Sequence, residues 1–280
     1  LVYSRSCPHP LTFMKPTKEA VRDFWDEASC GEVYAQGATL ADQFAAHARA
    51  RYQLEPYLRD FARFDGTGKS VLEVGVGMGA DHLEWARSAP KRLVGIDFTP
   101  RAVEWTRQRL ALGGYESELA VADAERLPFS DESFDTIYSW GVLHHTPDTR
   151  KAFDEVHRVL RPGGTLRAMI YHRPSLVGLM LWTRYALLEG KPGRSVNDVY
   201  AEHLESPGTK GYTLSEAGHL VDRFDRAQVR PQVSLGDTLD GAVGQQHDSA
   251  YLRAVKMVWP RPLIRRLNVL GLFLLIEAVK

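Results

Sequence analysis

The stretch V-L-E-V-G-V-G-M-G-A, residues 71–80, constrains this chain more than any other. A short apolar run passes directly into Gly75, Gly77 and Gly79 and then into a helical pattern. Glycine lets a backbone turn tightly and leaves no Cβ between the chain and a ligand. Apolar runs then keep alternating with helical patterns. Strands are expected over 71–74, 92–96, 119–121, 134–139, 166–171, 227–235 and 271–279. Helices are expected over 81–88, 100–112, 149–160 and 213–224, the last capped by Thr213 or Ser215 with Glu216 close behind. Continuous apolar strands separated by helices predict an α/β fold with a mainly parallel sheet covered on both faces.

The remaining segments read as additions to that sheet. Residues 14–64 show helical spacing, interrupted by the loop C-G-E-V-Y-A-Q-G, and form an N-terminal helical cover. Residues 172–212 form a mostly helical cap, with Leu179, Met180, Trp182 and Tyr185 as an apolar lid. Residues 238–268 form a late insertion, so 14–280 make a single domain. Residues 1–13 read as a non-native or disordered extension, with Met14 as the native start. Of the 280 residues, 35 are basic, 35 are acidic and 44% are apolar. That balance argues against disorder, a multi-span membrane protein and bulk nucleic-acid binding. Two cysteines in no ligand spacing imply no metal site, and with no signal-peptide pattern they make the cytoplasm the expected compartment.

The glycine pattern alone leaves the ligand open. Gly75-x-Gly77-x-x-Ala80, followed by Asp97 about twenty residues later, also fits a dinucleotide-binding fingerprint. Glu73 tilts the choice, because a carboxylate before the first glycine would repel a pyrophosphate. It suits a ligand carrying an ammonium or a sulfonium.

Five motifs in order then carry a resemblance: E-V-G-V-G-M-G, V-G-I-D-F-T, V-A-D-A-E-R-L-P-F-S-D-E-S-F-D, S-W-G-V-L-H-H-T-P-D and R-V-L-R-P-G-G-T-L. Across residues 71–171 the chain resembles the class I S-adenosylmethionine-dependent methyltransferases, of the ubiquinone/menaquinone and natural-product kind. The resemblance implies a Rossmann-like fold with a seven-stranded sheet and an antiparallel last strand. It implies S-adenosylmethionine as cofactor and S-adenosylhomocysteine as by-product. It places Glu73, Gly75 and Gly77 along the methionine part, and Asp97 on the ribose hydroxyls with Phe98 beside the adenine. Asp123 would accept from the adenine amino group and Ala124 would offer its N–H. Ser139 and Trp140 would border the methionine, and Tyr34 would close from the N-terminal cover.

Methyl transfer chiefly needs alignment and exclusion of water, with a base only where the acceptor must lose a proton. His145, Tyr171 and His172, at strand ends, are the candidates. The expected function is direct transfer to a small organic, apolar acceptor. Rivals are non-methyl chemistry on the same cofactor, such as cyclisation or elimination, and an NAD(P)-dependent oxidoreductase. The basic segment W-P-R-P-L-I-R-R-L, residues 259–267, reads as a solvated turn or as a peripheral membrane contact.

Overall fold

The computed structural model describes residues 17–239, 261–266 and 268–280. The expected extension 1–13 and residues 240–260 of the late insertion lie outside these.

Each short apolar run expected to be a strand is one. The strands are β1 (Ser70–Val74), β2 (Arg92–Asp97), β3 (Glu118–Val121), β4 (Phe134–Trp140), β5 (Leu160–His172), β6 (Gly211–Tyr212), β7 (Arg226–Gln232) and β8 (Phe273–Val279). The sheet runs β3-β2-β1-β4-β5-β8-β7, with β8 antiparallel to both neighbours and β6 a two-residue strand beside the end of β5. The sheet thus has eight strands rather than seven. The extra one is β6, too short to leave a periodic signal. Another difference is the Pro162-Gly163-Gly164 segment. It reads as a turn, yet lies within β5, where Gly163 takes a φ of 74° and the register against β4 shifts. Such a bulge bends a strand without ending it.

The helices follow their capping chemistry. In α4 (Ala80–Arg87) the cap is Gly79, in a left-handed conformation at φ 72°. In α5 (Pro100–Gly113), Thr99 caps a first turn that opens on proline. In α9 (Leu214–Leu220), Thr213 and Glu216 complete a reciprocal capping box. With α6 (Thr149–Val159), α9 covers one face of the sheet, where Leu72, Val74, Ile137, Phe153 and Leu274 pack together. On the other face Val71, Trp85, Leu110 and Tyr138 meet the N-terminal cover at Leu58 and Phe61. That cover comprises α1 (Lys18–Glu27), a 3-10 turn Glu32–Tyr34, α2 (Leu40–Leu54) and α3 (Leu58–Ala62).

The cap after β5 comprises α7 (Leu176–Trp182), a π-helical turn Thr183–Leu187 and α8 (Val196–His203). Near the C-terminus come α10 (Leu235–Thr238) and α11 (Arg261–Arg266). The end of the basic segment is therefore a short helix, with Ile264 buried. No helix among the described residues is long and apolar enough to cross a membrane. Replacing the fully buried Phe153 by alanine should cost about 3–5 kcal/mol in urea unfolding. Leu112, 56% exposed on α5, should tolerate alanine within about 0.5 kcal/mol.

Candidate active site

Because β1 lies between β2 and β4, chain connections leave it in opposite directions, and a crevice opens beyond the carboxyl ends of the strands. A cavity of about 840 Å³ occupies that place. Ligand pockets span roughly 300–1,000 Å³, so this one has room for a large cofactor and a second molecule.

The glycine turn forms one wall. Gly75 has a φ of 87°, and a Cβ there would lie 2.1 Å from Val142 Cγ2. Gly75 also donates to the Ile96 carbonyl at 2.7 Å, so the turn folds tightly over the end of β2. Gly77, at φ 51°, differs: a Cβ there would meet nothing within 4 Å. It lines the cavity, which is the open cradle a cofactor needs. Its N–H donates to Asp97 at 3.1 Å, and Thr99 donates to the same carboxylate through its N–H and its hydroxyl. Burial nevertheless holds the Asp97 carboxyl above the usual range. Asp123 accepts from the Glu125 N–H at 2.9 Å and from Lys18 of α1 at 2.5 Å. Lys18 also reaches Glu125 at 2.7 Å, so α1 is clasped across this end of the cavity.

Of the residues singled out in the sequence, Tyr34, Gly75, Gly77, Asp97, Phe98, Asp123, Ala124, Trp140, His145 and Tyr171 line one cavity. Glu73, Ser139 and His172 do not. Ser139 points back under the turn and donates to the Val74 carbonyl, and His172 bonds to the Gly271 carbonyl.

Glu73 is the instructive correction. On a strand, side chains alternate between faces, and Glu73 points toward α4 rather than into the crevice. Its carboxyl lies 2.9 Å from His82 Nδ1. His82 Nε2 lies 2.8 Å from the Ser117 hydroxyl, which donates to the Leu93 carbonyl. That last bond fixes the direction of the chain. Ser117 accepts from His82 Nε2–H, so Nδ1 is an acceptor and Glu73 supplies the proton. The shifts agree: burial drives the Glu73 carboxyl well above its ordinary value and drives the His82 ring down to about 3. A neutral Glu73 facing away cannot be what selects a positively charged ligand.

The cap contributes Val177, Met180, Leu181, Leu204 and Glu205 to the cavity. The expected lid is only partly right. Met180 lines the cavity, but Leu179 is exposed, Trp182 donates to the Arg194 carbonyl and Tyr185 stacks on His203. The inward face of the helix is 177, 180, 181 and 184, the spacing of one helical stripe. Glu205 carries no such signal; it follows α8 in a polar stretch and reaches the cavity only through the cap's fold. Also missed from sequence is Arg51 of α2. Its Nε and Nη2 engage the two oxygens of Asp81, at 3.1 and 2.5 Å, and Tyr52 and Tyr138 donate to the same carboxylate.

Fold and site together define a Rossmann-like domain with a crevice beyond its strand ends. Residues 72–168 match the family model described as a methyltransferase domain. That stretch is a class I, S-adenosylmethionine-dependent methyltransferase domain. An uncharacterised protein of Mycobacterium tuberculosis is 31% identical over 170 residues, 59% of this chain and 62% of its own length. The chain thus spans under two thirds of that relative. The fatty-acid O-methyltransferase of Mycolicibacterium smegmatis is 36% identical over 115 residues, 41% of each chain. Among solved structures, a phosphoethanolamine N-methyltransferase of Haemonchus contortus, in complex with phosphomonomethylethanolamine and S-adenosylhomocysteine, aligns with a TM-score of 0.58 at 18% identity. The match covers 93% of this chain and 60% of that one. An S-adenosylmethionine-dependent methyltransferase of Mesorhizobium loti aligns with a TM-score of 0.52 at 16% identity over 80% and 97%. At these identities the structural likeness concerns the fold.

The Glu73–His82 pair gives a pH prediction. Between about pH 4.5 and 6.5, their ordinary values, the pair holds one proton both folded and unfolded. Above about 6.5 the unfolded histidine releases its proton while folded Glu73 keeps its own, so stability falls as pH rises. Below about 4.5 the unfolded pair takes a second proton that folded His82 refuses until about 3, so stability falls toward acid. Urea unfolding at pH 6, 7 and 8 should show the alkaline decline in the wild type and a flatter profile in Glu73→Gln.

Proposed function

We propose that the protein transfers the methyl group of S-adenosylmethionine directly to a small organic acceptor and releases S-adenosylhomocysteine. The observation that carries this reading is the single cavity joining the glycine turn, Asp97 and Asp123 to the strand ends at Trp140, His145 and Tyr171. Gly75 and Gly77 would admit the methionine part, Asp97 the ribose, and Phe98, Asp123 and Ala124 the adenine. Lys18 already sits on Asp123, so the adenine amino group would share or displace that contact as α1 and Tyr34 close over it. The bound sulfonium supplies an activated methyl group. The chain's own residues align the acceptor and exclude water.

Tyr171 is unsuited to act as a base. Burial, with the Glu205 charge beside it, drives its phenol far above its ordinary value, and its O–H donates to Glu205 at 2.7 Å. It is a donor that positions Glu205. His145 remains the histidine at the cavity, and Trp25 of α1 packs edge-on against its ring at 5.3 Å. The relative named for fatty acids and the neighbour named for phosphoethanolamine agree with a small organic acceptor.

Calorimetry with S-adenosylhomocysteine and a labelled-methyl assay test the proposal. Methylthioadenosine as product would favour elimination or other alkyl chemistry instead. Gly77→Ala separates binding from folding. A left-handed alanine costs about 1–2 kcal/mol, a few degrees of melting temperature at this size. Its Cβ projects into the cradle, so S-adenosylhomocysteine affinity should fall at least about tenfold.

A further inference from the structure

The acceptor end of the cavity holds a carboxylate whose protein partners are a phenol and an imidazole. Glu205 accepts from Tyr171, and the same oxygen lies 3.4 Å from His145 Nε2. The Thr209 hydroxyl donates to the Ser206 carbonyl at 2.7 Å and lies 3.1 Å from His145 Nδ1. The Ser206 hydroxyl lies 2.8 Å from the same nitrogen, so two hydroxyls hold Nδ1. Nε2 faces the Glu205 carboxylate. His145 is only 6% exposed, and its Nε2 has no hydrogen-bond partner among the described residues. A carboxylate set among such partners calls for positive charge.

Glu55 adds a second carboxyl to the same cavity. It accepts from Arg51 at 3.1 Å and from the Trp140 indole. Burial pushes its carboxyl up to about 7; Arg51 opposes the shift, and the Asp81 and Glu205 charges add to it. Two of the lining cations are shared with other carboxylates. Arg51 is held by Asp81, and Lys18 by Asp123 and Glu125. Arg184 also lines the cavity, with its guanidinium over the Tyr185 ring. Aromatic faces complete the end: Trp140, and Tyr171 stacked on Phe273. Carboxylates and π-faces together recognise an organic cation.

We propose, resting on the methyltransferase reading above, that the acceptor is an organic amine with an apolar body, bound as its ammonium between Glu205 and Glu55. The apolar body lies against Val177, Met180, Leu181 and Leu204 of the cap. The ammonium gives one N–H proton to the Glu205 carboxylate. The freed lone pair forms the new C–N bond to the methyl as the C–S bond breaks, its electron pair going to sulfur. The products are a methylated ammonium and S-adenosylhomocysteine, and Glu205 returns its proton to water. An acceptor carboxylate or phosphate would instead meet like charge.

Three isosteric probes test this on the full chain saturated with S-adenosylhomocysteine: 2-phenylethylamine, 2-phenylethanol and phenylacetate, titrated by calorimetry at pH 8. The amine should bind at least tenfold more tightly than the alcohol, and phenylacetate most weakly. Glu205→Gln should lower amine affinity at least tenfold. It should leave the alcohol and S-adenosylhomocysteine within about twofold, a selectivity that a merely structural defect would not produce. The proposal is overturned by tighter or equal binding of the alcohol or the acid, by no binding of any probe, or by unchanged amine affinity in Glu205→Gln. If S-adenosylhomocysteine itself does not bind, the methyltransferase reading falls first and the amine proposal with it.

Discussion

The close approach of Gly75 to Val142 is the contact on which the rest of the site depends. At φ 87°, with room for hydrogen alone, the turn after β1 folds against the loop after β4. The two strand ends become adjacent parts of one rim. Asp97, held by the N–H of Gly77, and Trp140, at the end of β4, then face the same space. A side chain at 75 would push the two loops apart before any ligand arrived.

Buried polar groups fasten the layers beneath that rim. The chain from Glu73 through His82 and Ser117 to the Leu93 carbonyl ties β1, α4 and β2 together with every donor matched to an acceptor. Asp81, at the start of α4, gathers Arg51, Tyr52 and Tyr138. The N-terminal cover is thus joined to the sheet by a buried ion pair, and losing one partner would leave a charge unpaired. The cover also carries Glu55 and Lys18 to opposite ends of the cavity.

The glycine-turn end of the cavity was largely legible in the sequence. Its residues follow strand ends at fixed spacings, and a strand end's position in a parallel sheet follows from the alternation. Glu73 shows where that logic stops. Its place in a motif located its backbone at the crevice, but strand alternation turned its side chain to the opposite face, toward His82. The acceptor end was hardly legible. His145 and Tyr171 were visible at strand ends, whereas Glu205 and Glu55 belong to segments whose pattern marks only helix and loop.

The sequence by itself determined the order of strands and helices, the glycine turn and the acidic residues at Asp97 and Asp123. Those are local matters: apolar period, capping chemistry and the backbone freedom of glycine. The tertiary structure alone decided which charges meet. The pairing of Glu205 with Tyr171 and His145, of Arg51 with Asp81, and of Lys18 with Asp123 joins residues distant in the chain. Electrostatic contacts depend on distance and burial, and neither is written in the spacing of a sequence.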